Sequence, residues 1–191
     1  MYLNMSQWKL TPHAPSYGFS TVELMVTIAI LAILAGLAYP SFMNLINGER
    51  LTSSANELVA SLQLARTEAI RLGSPVTVCR SDDGRTCRTG GPWQRWVTVA
   101  RARNNIIRVN DAISNVTVQG SPRITSLSDQ IVFRPDGLAR DVSGALLTAQ
   151  LSLCMPNTRM ANNIRFVSIN GGSRIRVSPG ATAPCSQPND E

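Results

Sequence analysis

The chain has 191 residues, a net charge of +6 and one lysine, Lys9, so its basic surface is made almost wholly of arginine forks, which bind carboxylate and phosphate two oxygens at a time. Its one histidine, His13, lies upstream of a long apolar run. If that upstream piece is removed, neither His nor Lys remains, which excludes Ser-His-Asp and Cys-His pairs, His-ligated metals and Schiff-base lysines. No catalytic residue, metal or cofactor is expected.

Residues 1–18, MYLNMSQWKLTPHAPSYG, carry one Lys, two prolines and no acid, and read as a leader. Residues 19–40 follow as a membrane-length apolar helix. From Phe19 to Tyr39 the one charged side chain is Glu23. A charged residue at the centre of a span costs roughly 2.5–3.5 kcal/mol, and less near an end, so its presence asks for a reason. A cleaved signal peptide is the competing reading, with Ala35-Gly36-Leu37-Ala38 as its cut site. Against it, the helical pattern does not stop there.

Residues 41–73 form an amphipathic helix half. Leu51, Ala55, Leu58, Leu62, Ala65, Ala69 and Leu72 recur at alternating spacings of four and three, an apolar stripe down one face. Gly73 and Pro75 end it, and Pro40 and Gly48 are expected to bend or loosen it.

Residues 74–191 switch to period two with β-branched residues. Strands are expected at 76–80, 95–100, 106–109, 116–119, 131–134, 147–153, 165–169 and 174–177, punctuated by Asp82-Asp83-Gly84, Gly90-Gly91-Pro92, Pro135-Asp136-Gly137 and Asn170-Gly171-Gly172. The tail, SPGATAPCSQPNDE, reads as loop held only by Cys185. The expected class is α+β: a long N-terminal helix packed on an antiparallel β-sheet domain. Four cysteines allow three pairings. The short loop around Asp82-Asp83-Gly84 favours Cys79–Cys87 and, by elimination, Cys154–Cys185, with free buried thiols as the alternative. Asp82 and Asp83 lie in a turn without evident partners and read as a solvated loop.

GFSTVELMVTIAILAILAGLAYPSF resembles the N-terminus of type IV pilins and pseudopilins, through Gly18, Phe19, Thr21, Val22, Glu23 and Pro40. That resemblance implies a pilin-like fold, cleavage between Gly18 and Phe19 by a prepilin peptidase, and N-methylation of Phe19. LQLARTEAIRLGSPVTVC with DGRTC, FRPDG, LSLC and RFVSINGGSRIRV is similar to minor pilins and pseudopilins of the GspH/FimT kind. WQRWVTVARAR departs from that family's Trp-x-Gly-Trp pattern, with Arg95 for the glycine. The implied partners are the peptidase, the major and other minor pilins, and an inner-membrane assembly platform. The implied location is a single-pass inner-membrane protein with a periplasmic C-terminal domain. A membrane-anchored or secreted binding module without a filament role is the reading from another class.

In a filament core an unpaired Glu23 is intolerable, and the amine of a neighbour's Phe19 is the expected cation. Arg174 and Arg176, two apart on a strand, share a face and are expected to meet phosphates, with Ile175 and Val177 turned to the core. Arg165 and Arg159 are expected to extend that patch. In FimT-like proteins a Gly-Arg-x-Arg motif is associated with DNA uptake; here Ser173 stands between Gly172 and Arg174. A solvated edge strand blunted by charge is the competing reading. Arg80, Arg85, Arg88, Arg95, Arg101, Arg103 and Arg108 mark a second basic region.

Overall fold

The computed structural model describes residues 18–101, 105–156 and 160–190. The expectations for the leader, for Arg103 and for Arg159 fall outside them. The element order is α1 (Thr21–Leu72), β1 (Val76–Arg80), β2 (Arg95–Ala100), β3 (Asn105–Asp111), β4 (Thr117–Gly120), α2 (Pro122–Ser126), β5 (Gln130–Phe133), β6 (Ala149–Cys154), β7 (Ile164–Asn170) and β8 (Arg174–Gly180). The chain divides into two units at Ser41/Phe42, so α1 contributes to both. It remains helical through Pro40 and Gly48.

In the first unit the helix is apolar all round and its side chains lie open, with Phe19 at 73% and Ile33 at 65% exposure. An 18-residue window reaches a mean hydropathy of 2.3, long and apolar enough to cross a membrane.

In the second unit the expected stripe is the core: Leu51, Ala55, Leu58, Leu62, Ala65 and Ala69 are fully buried. They pack against Val76, Val78, Trp96, Ile131 and Phe133 on one side of the cluster and Val118, Leu151, Leu153, Val167 and Ile169 on the other. The helix packs on antiparallel sheet as expected, and among the described residues the strands form two four-stranded antiparallel sheets, ordered β3-β2-β1-β5 and β4-β6-β7-β8. Strand alternation alone does not reveal which strands pair, and one helix stripe can cover a face of each sheet. The short helix α2 was also not anticipated. Its signal is Ser121-Pro122, with Pro at the first helical turn.

The tail is held by far more than Cys185. Asn163, fully buried, uses its amide like a strand residue: Nδ2 donates to the Ala183 carbonyl at 2.9 Å and Oδ1 accepts the Ala183 N–H at 3.1 Å. Gln187 Nε2 donates to the Gly120 carbonyl at 3.0 Å, and the Arg123 N–H donates to Asp190 Oδ1 at 3.0 Å. The disulfides join Cys79 to Cys87 and Cys154 to Cys185, each with Cα atoms 5.5 Å apart. The second ties the tail to β6, all six of whose residues are buried.

Polar side chains on the helix stripe are anchored individually. Trp96 Nε1–H donates to Ser61 Oγ at 2.9 Å, and the one proton of that hydroxyl is shared between the Glu57 carbonyl at 2.9 Å and Asn110 Oδ1 at 3.1 Å. The Asn110 amide in turn donates to the Glu57 carboxylate. Ser61→Ala is expected to lower stability by about 1–3 kcal/mol, because it strands a buried indole N–H. Ser54→Ala serves as control, since the buried Ser54 hydroxyl has no hydrogen-bond partner among the described residues. Thermal unfolding of the detergent-solubilised chain reads both.

Candidate assembly segment and nucleic-acid interface

Helix α1 begins with local polar groups serving its open end. Ser20 Oγ accepts the Val22 N–H at 3.3 Å and the Ser20 carbonyl accepts the Leu24 N–H at 3.1 Å. Glu23 follows in the first turn, where a negative charge is favourable. Thr27 Oγ1–H donates to the Leu24 carbonyl at 2.9 Å, so that hydroxyl carries its own partner into an apolar setting. The roles of Ser20 and Thr27 were missed from sequence, although Ser just before a helical run is an N-cap signal. Gly18 and Phe19 precede the helix and are exposed.

In the second unit, β8 is an edge strand, as the charge-blunted reading also requires. Asn170 pairs with Arg174, and Gly171 (φ 55°) and Gly172 (φ 71°) carry the turn in the left-handed region. A Cβ on Gly172 would stand 2.5 Å from the Ala139 carbonyl oxygen. Arg66 of α1 donates from Nη1 to the Ser173 carbonyl at 3.2 Å, which pins the hairpin tip. Arg174 and Arg176 are both exposed and share a face, opposite Asn170 and Ser168 of β7.

Two parts of the expected patch are corrected. Val177 is 37% exposed, because β8 lies at the sheet edge; Ile175 does pack against the core. Arg165 pairs with Pro179, in register with the Val167 and Ile169 rows, so it lies on the opposite face from Arg174 and Arg176. It lines a hollow with Asn44, Gly48, Glu49 and Thr52 of α1, and does not extend the hairpin patch.

Three of the six described arginines of the second basic region have side-chain partners. Arg80 Nη2 meets Asp82 Oδ1 at 2.6 Å and Arg95 Nε meets Asp111 Oδ1 at 2.6 Å. Arg101 donates to Thr77 Oγ1 at 3.0 Å and to Gln130 Oε1. Asp82 and Asp83 are therefore corrected from partnerless turn residues. The Thr86 and Arg85 N–H groups and the Thr86 hydroxyl, in that order, hold the Asp83 carboxyl well below the usual carboxylate range. Asp136 is lowered chiefly by the Leu138 N–H, then by Arg140. Asp141 is lowered chiefly by the Ser143 hydroxyl, against its own desolvation.

These features meet two independent likenesses. The model of a prokaryotic N-terminal methylation motif matches residues 15–39. The model described as type II transport protein GspH matches residues 54–181, about two thirds of the chain. The chain belongs to the GspH family. Members of this family are minor pilins and pseudopilins. Fimbrial protein Q of Moraxella bovis is 27% identical over 161 residues, covering 82% of this chain and 87% of the relative. Crystal structures of the type IV minor pilin FimU of Pseudomonas aeruginosa share its fold in two crystal forms. TM-scores are 0.53 and 0.51, each at 22% identity, covering 72% and 71% of this chain and 96% and 99% of FimU. The α+β, pilin-like class expected from sequence is the class of this GspH-family chain.

A lowered carboxyl stabilises the fold above its unfolded pKa, about 4, and that contribution is lost as pH falls through the lower folded value. The urea midpoint of the GspH-family chain is thus expected to fall as pH drops below about 4, and Asp83→Asn to make that fall shallower. Equilibrium unfolding across pH 2–7 checks both.

Proposed function

We propose that this GspH-family subunit is made as a single-pass inner-membrane precursor, cut between Gly18 and Phe19 and built into a filament through α1. On this reading residues 1–18 are a leader, 19–40 the membrane and filament-core helix, 41–73 the helix half under the domain, and 74–191 a periplasmic β-rich domain. The observation that carries it is the methylation-motif match over residues 15–39, with Glu23 in the first turn of an apolar, uncovered helix. The partners are then a prepilin peptidase, the major and other minor pilins, and a membrane assembly platform. Likeness to a fimbrial protein over most of its length favours a type IV pilus over a type II secretion pseudopilus.

The chemistry has two stages. Cleavage creates an amine at Phe19, and that amine is the one cation available to a carboxylate buried among apolar helices. Glu23 of one subunit facing the Phe19 amine of another sets axial register, since a slip leaves two charges unpaired in a dry core. Glu23→Ala is expected to leave a membrane-inserted, N-methyl-Phe19 protein with an intact mature mass that enters sheared fibres at less than about a tenth of the wild-type level. Equal incorporation removes the pairing; an unprocessed N-terminus removes the pilin reading.

Non-specific DNA binding by the hairpin is the finer part of the proposal. Arg174 and Arg176 project from an edge rib with guanidinium groups that have no partner among the described residues, about 7 Å apart along the strand, the reach of successive phosphates. Arg174→Gln with Arg176→Gln is expected to weaken duplex binding by the whole chain and to flatten its salt dependence by about two counterions. Gel shifts across a salt series read both quantities.

A further inference from the structure

The observations reach furthest at a second arginine cluster, on the far side of the strap that meets the hairpin. Residues 138–141 leave the edge of β5, where Phe133 bridges to Ala139 and the Arg140 N–H donates to the Val132 carbonyl at 3.2 Å. Beside this strap lies an open hollow of about 200 Å³, lined by Arg101, Arg134, Arg140, Leu127, Val132 and Val142 among others. Two of the three guanidiniums are held in place. Arg101 is oriented by Thr77 and Gln130. Arg140 is oriented by Asp136, at 2.9 Å from Nη2, and by the Gly144 carbonyl, at 2.9 Å from Nη1. Each keeps N–H groups to spare. Arg134 makes no side-chain hydrogen bond or ion pair among the described residues; its charge reaches Asp136 only through space.

The nearby acids cancel this charge only in part. Asp141 also lines the hollow, yet its Oδ1 accepts from the Ser143 N–H, the Ser143 hydroxyl and the Ala145 N–H, and its Oδ2 from Arg123 at 2.6 Å. Asp136 is taken by Arg140. A surplus of positive charge therefore lines a hollow that also has apolar walls, Leu127, Val132 and Val142, the last 91% exposed.

We infer that this recess takes an acidic side chain of a neighbouring pilin-type subunit, its carboxylate between Arg134, Arg101 and Arg140 and its apolar surroundings against Val142. The shape decides against nucleic acid. Phosphates on a duplex are met by projecting arginines such as Arg174, whereas a carboxylate on a side-chain stem reaches into a hollow lined in part by Val132 and Leu127. Arginine beside an exposed apolar residue is also the composition of protein interfaces. This inference rests on the filament reading above.

The test places a photo-cross-linking amino acid at Val142 in cells assembling the filament, and separately at Ile33 in the apolar helix. The expected result is an adduct from Val142 to another pilin-type subunit, mapped by mass spectrometry to a segment containing Asp or Glu. Arg134→Glu should lower its yield about tenfold or more, Arg134→Gln less, and reversal of the mapped acid to Arg should restore it with Arg134→Glu. Adducts from Ile33 but none from Val142, a Val142 adduct indifferent to Arg134→Glu, or a Val142 adduct to DNA overturns the recess and leaves the filament reading standing. No pilin adduct from either position overturns both.

Discussion

The second unit depends on one constraint: a single stripe of α1 must be buried, and no one sheet buries it. Ala55, Ala65 and Ala69 and the larger Leu51, Leu58 and Leu62 share one buried cluster with residues of both sheets. Trp96 of the first sheet reaches the same helix through Ser61. Trp93, three residues earlier, turns instead to Asp129, whose carboxylate also accepts the Gly90 N–H. The sheets also share a strap, in which Ala139 belongs to the β5 edge and at the same time donates its N–H to the Gly172 carbonyl of the β7–β8 hairpin at 2.7 Å. Both arginine surfaces are tied to that strap, the hairpin through Ala139 and the hollow through Arg140. One projects from an edge, the other lies in a recess, and the difference in relief separates what each can hold.

Charge is distributed by the same logic. Arginines that serve the fold have acceptors close by, as Arg95 has Asp111 and Arg66 has the Ser173 carbonyl. Among the described residues Arg134, Arg174 and Arg176 are some of those left without such an acceptor. In the first unit the single acid occupies the helix end, where the backbone favours it before any partner arrives.

Much of this was legible in the chain. The four–three ladder gave the buried face of α1 because helix geometry leaves it no other choice. Each of the eight expected strands overlaps an observed one, because β-branched alternation bounded by Gly, Pro and Asn is a local signal. The partition into two sheets was not legible, since strand pairing depends on contacts between distant segments. Arg165 was misplaced for a related reason. Its face follows from its register with Pro179, and register across a hairpin with a three-residue turn is not written in either strand. The tail escaped notice because its anchor, Asn163, is a single amide that looks like any other polar residue until Ala183 lies against it.

The Cys154–Cys185 bridge has a mechanical consequence. It closes a loop over a sequence separation of 31 residues, and β7, β8 and the tail up to Cys185 lie inside it. A subunit pulled between its helix and the chain beyond Cys185 cannot extend that loop while the bond holds. Roughly 100 Å of contour length, at about 3.3–3.6 Å per residue, is withheld from extension. Under load the hairpin bearing Arg174 and Arg176 therefore cannot be drawn out to its full contour, and the bond limits how far a strained subunit can lengthen.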